Sequence, residues 1–237
     1  MDESAVNYNS QATFDNETCQ YYSGQMNVLW SKSYEEIGGE MWSLRSVSDG
    51  GFIMSLGNAT NCVDSECDYL GQLIRLDANG DIIWEQKYEG SSALYSAIET
   101  SDGGFIAAGY FECNTSMDCY PDMYILKTDS DGVVQWSKTE SSANNNNDWA
   151  RDVIQTSDGN YVIAGTWNDD GWNSKASLRK YDTNGELIWG NIYTNSVANE
   201  AYELIETDEG DIVFAGYSGT QHGACLLYTS DAADDDV

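Results

Sequence analysis

The sequence predicts an all-β chain of repeated four-stranded antiparallel units, and three observations predict it. A phrase recurs, as "VSDGGFIMSLG" at 47 to 57, "TSDGGFIAAG" from 100, "TSDGNYVIAG" from 156 and "TDEGDIVFAG" from 207. The copies start 53, 56 and 51 residues apart. A second phrase keeps the same beat: "LDANGDIIW" ends at Trp84, "TDSDGVVQW" at Trp136 and "YDTNGELIW" at Trp189, with Trp30 of "QMNVLW" one period earlier. Two independent phrases on one period mark an internal repeat. Finally, Pro121 is the single proline of 237 residues, as expected where most backbone N–H groups donate to β ladders.

The elements follow in order within a unit, most clearly in the third. "RDVIQT" alternates as a half-buried strand, "SDGN" turns, and "YVIAGTW" is a β-branched and aromatic strand. After the loop "NDDGWN", "SKASLRKYD" alternates, "TNG" turns and "ELIWGNIY" closes the unit. Asp or Asn in each turn bonds the local backbone, and Gly takes a positive φ that costs other residues roughly 1 to 2 kcal/mol. Tandem four-stranded units of this length predict a β-propeller of about four repeats over residues 25–224, with blades near 41–88, 94–140, 149–193 and 200–224. Residues 1–24 form an undefined N-terminal segment.

Two resemblances rest on these phrases. "LDANGDIIW" and "YDTNGELIW" resemble the tryptophan-docking phrase of quinoprotein-type and outer-membrane-assembly propellers. That resemblance implies blade-docking roles for Trp30, Trp84, Trp136, Trp189, Asp77, Asp129 and Asp182. The fuller pattern, "SDGGF" followed by Lys-x-Asp, Gly and Trp, is similar to the tandem propeller repeats of large secreted or surface proteins. The spacing has one residue fewer between Asp and Gly than the quinoprotein phrase, and three residues between Gly and Trp where the sialidase Asp-box has two. Neither family's chemistry transfers on such departures.

The fourth unit breaks off. In place of a Lys-x-Asp strand and a Trp it reads "CLLYTSDAADDDV", which resembles a translated sequencing adapter. Residues 225–237 are therefore expected to be a non-native tail and the chain a fragment of a larger propeller. Pairing of the strand at 25 to 34 with the incomplete unit is the other way to complete the sheet.

Forty acidic residues against ten basic ones give a net charge of −30, which repels nucleic acid and anionic membrane surfaces. No apolar run is long enough to span a membrane. "NCVDSEC" and "ECNTSMDC" place Cys62 with Cys67 and Cys113 with Cys119 in polar loops, and sequons occur at Asn16, Asn58 and Asn114. Local disulfides in an extracellular protein are the reading, against a zinc site that unequal spacings and a single His222 oppose.

Candidate sites follow from repetition. Residues that recur in register pack; function lives where copies differ. The aligned starts of the first strands, Trp42, Tyr95, Arg151 and Tyr202, face the channel entrance of a propeller, where three aromatics and an Arg suit a sugar ring or a peptide. Arg75, Lys127 and Lys180 each stand two before Asp77, Asp129 and Asp182, an arrangement expected to form ion pairs on one strand face. "DANGD" resembles the opening of a calcium loop but lacks the later bidentate Glu, so no cofactor is expected, with calcium the alternative. No catalytic residue or metal ligand set stands out. The function expected is a non-enzymatic binding module for glycan or protein, or an architectural repeat; the alternative is a propeller glycoside hydrolase or quinoprotein-like oxidoreductase.

Overall fold

The computed structural model describes residues 31–34, 37–63, 66–111, 120–142, 146–168, 174–193, 200–218 and 223–229, with side chains described except at 58–63, 66–69, 218 and 223–229. The chain divides into Met1–Tyr34 and Glu35–Val237. Among the described residues all fifteen strands belong to the second unit, and there is no helix.

The strands form four antiparallel meanders taken in chain order. The first comprises β1 (Glu40–Ser46), β2 (Phe52–Val63), β3 (Glu66–Leu76) and β4 (Ile82–Tyr88). The second comprises β5 (Ala93–Glu99), β6 (Phe105–Phe111), β7 (Asp122–Thr128) and β8 (Val134–Glu140). The third comprises β9 (Trp149–Gln155), β10 (Tyr161–Trp167), β11 (Lys175–Tyr181) and β12 (Leu187–Tyr193). The fourth has three described strands, β13 (Glu200–Glu206), β14 (Ile212–Ser218) and β15 (Gly223–Thr229). β15 pairs with β14 from Gly223 to Thr229, so the first residues of the expected tail occupy the third-strand position.

Adjacent sheets stack face to face, because the middle strands are apolar on both faces. Phe105 and Ala107 of β6 pack with Ile53 and Leu73 of the first sheet, while Ile106 and Ala108 pack with Val153 and Ile163 of the third. Val162 and Ala164 of β10 then meet Leu204, Ile212 and Phe214 of the fourth. Strict alternation with two buried faces is the signature of a sheet sandwiched between neighbours. The arrangement is propeller-like.

Every residue of the recurring "SDGG" has a task. The Ser reaches the next sheet: Ser48 donates through N and Oγ to Glu99 at 2.7 and 2.9 Å, and Ser157 does the same to Glu206 at the same two distances. Ser101 N donates to Gln155 Oε1 at 2.7 Å. The Asp caps its own turn, Asp49 accepting from Gly51 N and Asp102 from Gly104 N. Gly50, Gly103, Gly159 and Gly210 hold φ of +79° to +89°, a region that favours glycine.

The second phrase docks sheets. Trp84 Nε1 donates to the carbonyl of Ser130, and Trp136 Nε1 to that of Thr183, each at 3.0 Å and each in the β-turn of the next sheet. The rings lie on those turns so closely that a Cβ at Gly132 or Gly185 would approach Trp84 or Trp136 to within about 3.0 Å. Trp189 has the same place in the third sheet, and its buried Nε1 has no acceptor. Trp30 lies outside the described residues.

The expected ion pairs with Asp77, Asp129 and Asp182 are not what forms. Arg75 pairs with Asp49 at 2.5 Å, Lys127 with Asp102 at 2.9 Å and Lys180 with Asp158 at 2.9 Å, so the partner is always the Asp of the SDGG phrase. The cause is antiparallel pairing: Arg75 stands opposite Ile53, next to the turn that precedes β2. The carboxylates of Asp77, Asp129 and Asp182 accept instead from backbone N–H groups two and four residues on.

Candidate functional site

The first strands β1, β5, β9 and β13 carry a bulge at one shared position. In β1, Met41 pairs with Leu56 and Ser43 with Ser55, which leaves Trp42 out of the ladder. The same skip leaves out Tyr95 between Leu94 and Ser96, Arg151 between Ala150 and Asp152, and Tyr202 between Ala201 and Glu203. The four residues singled out in the sequence are thus the extra residues of four bulges. A bulge interrupts the period of two and re-aims side chains. Consecutive residues therefore reach the same space, a cavity of about 460 Å³ lined by Trp42, Tyr95, Arg151 and Tyr202 together with their successors Ser43, Ser96, Asp152 and Glu203.

In three of the four sheets the glycine ending the phrase lets the bulge form. A Cβ at Gly109 would lie 1.9 Å from the carbonyl oxygen of Ala93, one at Gly165 2.0 Å from that of Trp149, and one at Gly216 1.9 Å from that of Glu200. Glycine inside a strand commonly marks such a close backbone approach. The first sheet manages with Leu56 opposite Met41.

Aromatic groups and cations meet at the cavity wall. The Trp42 and Tyr95 rings are perpendicular with centroids 4.8 Å apart, and Tyr95 stacks on Tyr110 at 5.5 Å. The Arg151 guanidinium lies 4.7 Å from the Tyr95 centroid, 5.0 Å from that of Trp149 and 5.5 Å from that of Tyr202, all within cation–π range. Its nearest carboxylate, Glu200, is 3.9 Å away and accepts a 2.6 Å hydrogen bond from the Tyr202 hydroxyl through the same oxygen. That bond to Glu200, with burial behind it, raises the Tyr202 hydroxyl above its usual pKa.

Asp152 ties the four inner strands together. Its Oδ1 accepts from Ser96 Oγ of β5 at 2.6 Å, its Oδ2 accepts from Leu204 N of β13 at 3.0 Å, and Arg45 of β1 stands 3.9 Å away. Burial pushes its carboxyl above the usual range, and these hydrogen bonds pull part of the way back. Sequence reasoning missed Asp152, Ser96 and Arg45. The signal for the first two was the next column of the same alignment, which reads Ser43, Ser96, Asp152 and Glu203 and differs between copies as much as the one selected.

The remaining expected residues lie elsewhere. Cys62 falls in β2 and Cys67 in β3, on the extended hairpin of the first sheet and not in a plain loop. Cys113 and Cys119 lie outside the described residues. Among the described residues no group of three or more His, Cys, Asp or Glu side chains is placed to hold a metal ion. No helix of the described residues is long and apolar enough to cross a membrane.

No family model matches the sequence. A search of curated proteins finds no match either. Solved structures do match. A protein of unknown function from Dyadobacter fermentans is 15% identical with a TM-score of 0.57, over 81% of this chain and 66% of that one. An endo-arabinase from Bacteroides thetaiotaomicron is 9% identical with a TM-score of 0.53, over 86% and 80%. A protein of unknown function from Bacteroides caccae is 15% identical with a TM-score of 0.50, over 84% and 64%. The chain thus spans 64% and 66% of the length of the two proteins of unknown function. At these identities the likeness shows the fold alone.

Proposed function

We propose that this chain is a non-enzymatic, extracellular propeller module that binds glycan through the cavity at its inner strands. The observation that carries the reading is convergence: four repeats built alike place unlike residues, three aromatic and one cationic, around a single cavity. Its volume, about 460 Å³, lies in the range of small-ligand sites. The C–H face of a sugar ring presents weakly positive hydrogens, which suit the negative faces of aromatic rings. Trp42 and Tyr202 are 47% and 44% exposed, enough for a ring to lie on them.

The expected outcome is that Trp42→Ala with Tyr95→Ala abolishes retention on a glycan array while the far-ultraviolet dichroism of the protein is unchanged. Retention equal to the wild type returns both residues to packing between sheets and leaves an architectural repeat or a protein-binding module.

A second reading, glycoside cleavage, is favoured by the endo-arabinase likeness and by two carboxylates, Asp152 and Glu203, on the wall. Against it, both Asp152 oxygens already accept hydrogen bonds that join strands. Release of reducing ends from arabinan, lost in Glu203→Gln, is the result that selects the enzyme. The extracellular setting rests on the close spacing of Cys62 with Cys67 and of Cys113 with Cys119 and on the three sequons; Cys62 and Cys67 lie on neighbouring strands, where the β2–β3 register breaks between the pairs Thr60 with Asp68 and Val63 with Glu66.

A further inference from the structure

Charge is distributed unevenly between the cavity and the rest of the chain. Acids outnumber bases forty to ten overall, yet the cavity is lined by two of each, Arg45 and Arg151 with Asp152 and Glu203. A cavity this basic relative to its protein is a local feature that composition alone would not produce.

The two cations also differ in their pairing from four other basic residues of the chain. Arg75, Lys127, Lys180 and Arg179 each hold a carboxylate at 2.5 to 2.9 Å. Arg45 and Arg151 have theirs at 3.9 Å, beyond hydrogen-bond reach; Arg151 Nε is buried without an acceptor, as Arg179 Nε is, but Arg179 still places a terminal nitrogen on Glu140 at 2.9 Å and Arg151 has no such bond to a carboxylate among the described residues. The acids beside them are committed elsewhere, Asp152 to Ser96 and Leu204, and Glu200 to Tyr202. Two guanidinium groups therefore present unspent N–H donors to the same space. Stacking against Tyr95, Trp149 and Tyr202 restrains the Arg151 plane, so little side-chain freedom remains to be lost when a planar acceptor arrives.

We infer that the sugar taken by this cavity carries a carboxylate: a uronic acid residue whose carboxylate meets Arg151 and Arg45 while its ring lies on Trp42 and Tyr202. A carboxylate matches the guanidinium fork in a paired hydrogen-bond geometry that a hydroxyl or an ester lacks. The inference rests on the glycan reading and narrows it to acidic glycans.

Titration calorimetry at low salt tests it with trimers of galacturonic and glucuronic acid, their methyl esters and the matching neutral trisaccharides. One of the acids is expected to bind about tenfold or more tightly than its ester, with that preference falling as sodium chloride is raised toward 0.2 M. Arg151→Gln should weaken the acid about tenfold and change the ester by no more than about threefold; Arg151→Lys should recover part of the loss. A thermal melt of each variant separates lost binding from lost fold, and the salt series on the wild type needs no variant. Ester or neutral trisaccharide bound as tightly as the acid overturns this inference and leaves the glycan reading intact. No binding by any member of the series overturns this inference, and an array that is also blank removes the glycan reading with it.

Discussion

At the scale of single residues, the SDGG turn joins burial, charge and hydrogen bonding. Lys127 is 1% exposed and holds Asp102, whose side chain is half open to solvent. Partial burial pushes the Asp102 carboxyl up, but hydrogen bonds from Thr100, Lys127 and the Gly104 N–H outweigh it and hold the pKa at about 2. A carboxyl lowered on folding contributes stability that is complete above its unfolded pKa of about 3.9 and is lost as pH falls through the folded value. Asp102→Asn is expected to cost about 1 to 3 kcal/mol near neutral pH, because it strips a buried ammonium of its counter-charge. Urea unfolding should show that difference shrink between pH 4 and pH 2; a constant difference would place the effect in packing. The turn itself was legible, since repetition exposes a required residue four times over. The partner of Arg75 was not, because spacing along one strand says nothing of the turn that the neighbouring strand brings alongside.

At the scale of elements, the outer strands and turns join one sheet to the next. Trp84 and Trp136 each place an indole N–H on a turn carbonyl of the following sheet, and Trp189 repeats the ring without the acceptor. Replacing Trp84 or Trp136 by Phe should cost about 1 kcal/mol for the lost hydrogen bond, beyond whatever the smaller ring loses in packing. Trp189→Phe should cost only the packing part. Denaturant midpoints of the three variants check this, and equal losses at all three positions would show that the hydrogen bonds contribute nothing. The strands themselves could be read from alternation. The bulges could not, because two residues facing one is a property of a pair of strands. The terminal glycine of "FIAAG" was their one trace in the sequence.

At the scale of the whole molecule, the repeat separates a constant frame from a variable centre, and the proposed compartment bears on both. Material secreted by an oxidising host should give non-reduced peptides in which Cys62 is linked to Cys67, detectable by mass spectrometry. Free thiols at both positions would remove the main argument for an extracellular setting. Fold and architecture were legible because they depend on what the copies share; the cavity was only half legible because it depends on what they do not. The four bulged positions have a further consequence. Trp42, Tyr95, Arg151 and Tyr202 stand outside the pairing of their ladders, so their identities are not dictated by strand register or turn chemistry, and their contacts across sheets are mainly with one another. On the proposed reading such a scaffold is readily diversified: a library varied at these four codons would sample new recognition chemistries on a common frame, much as variable loops do on an antibody.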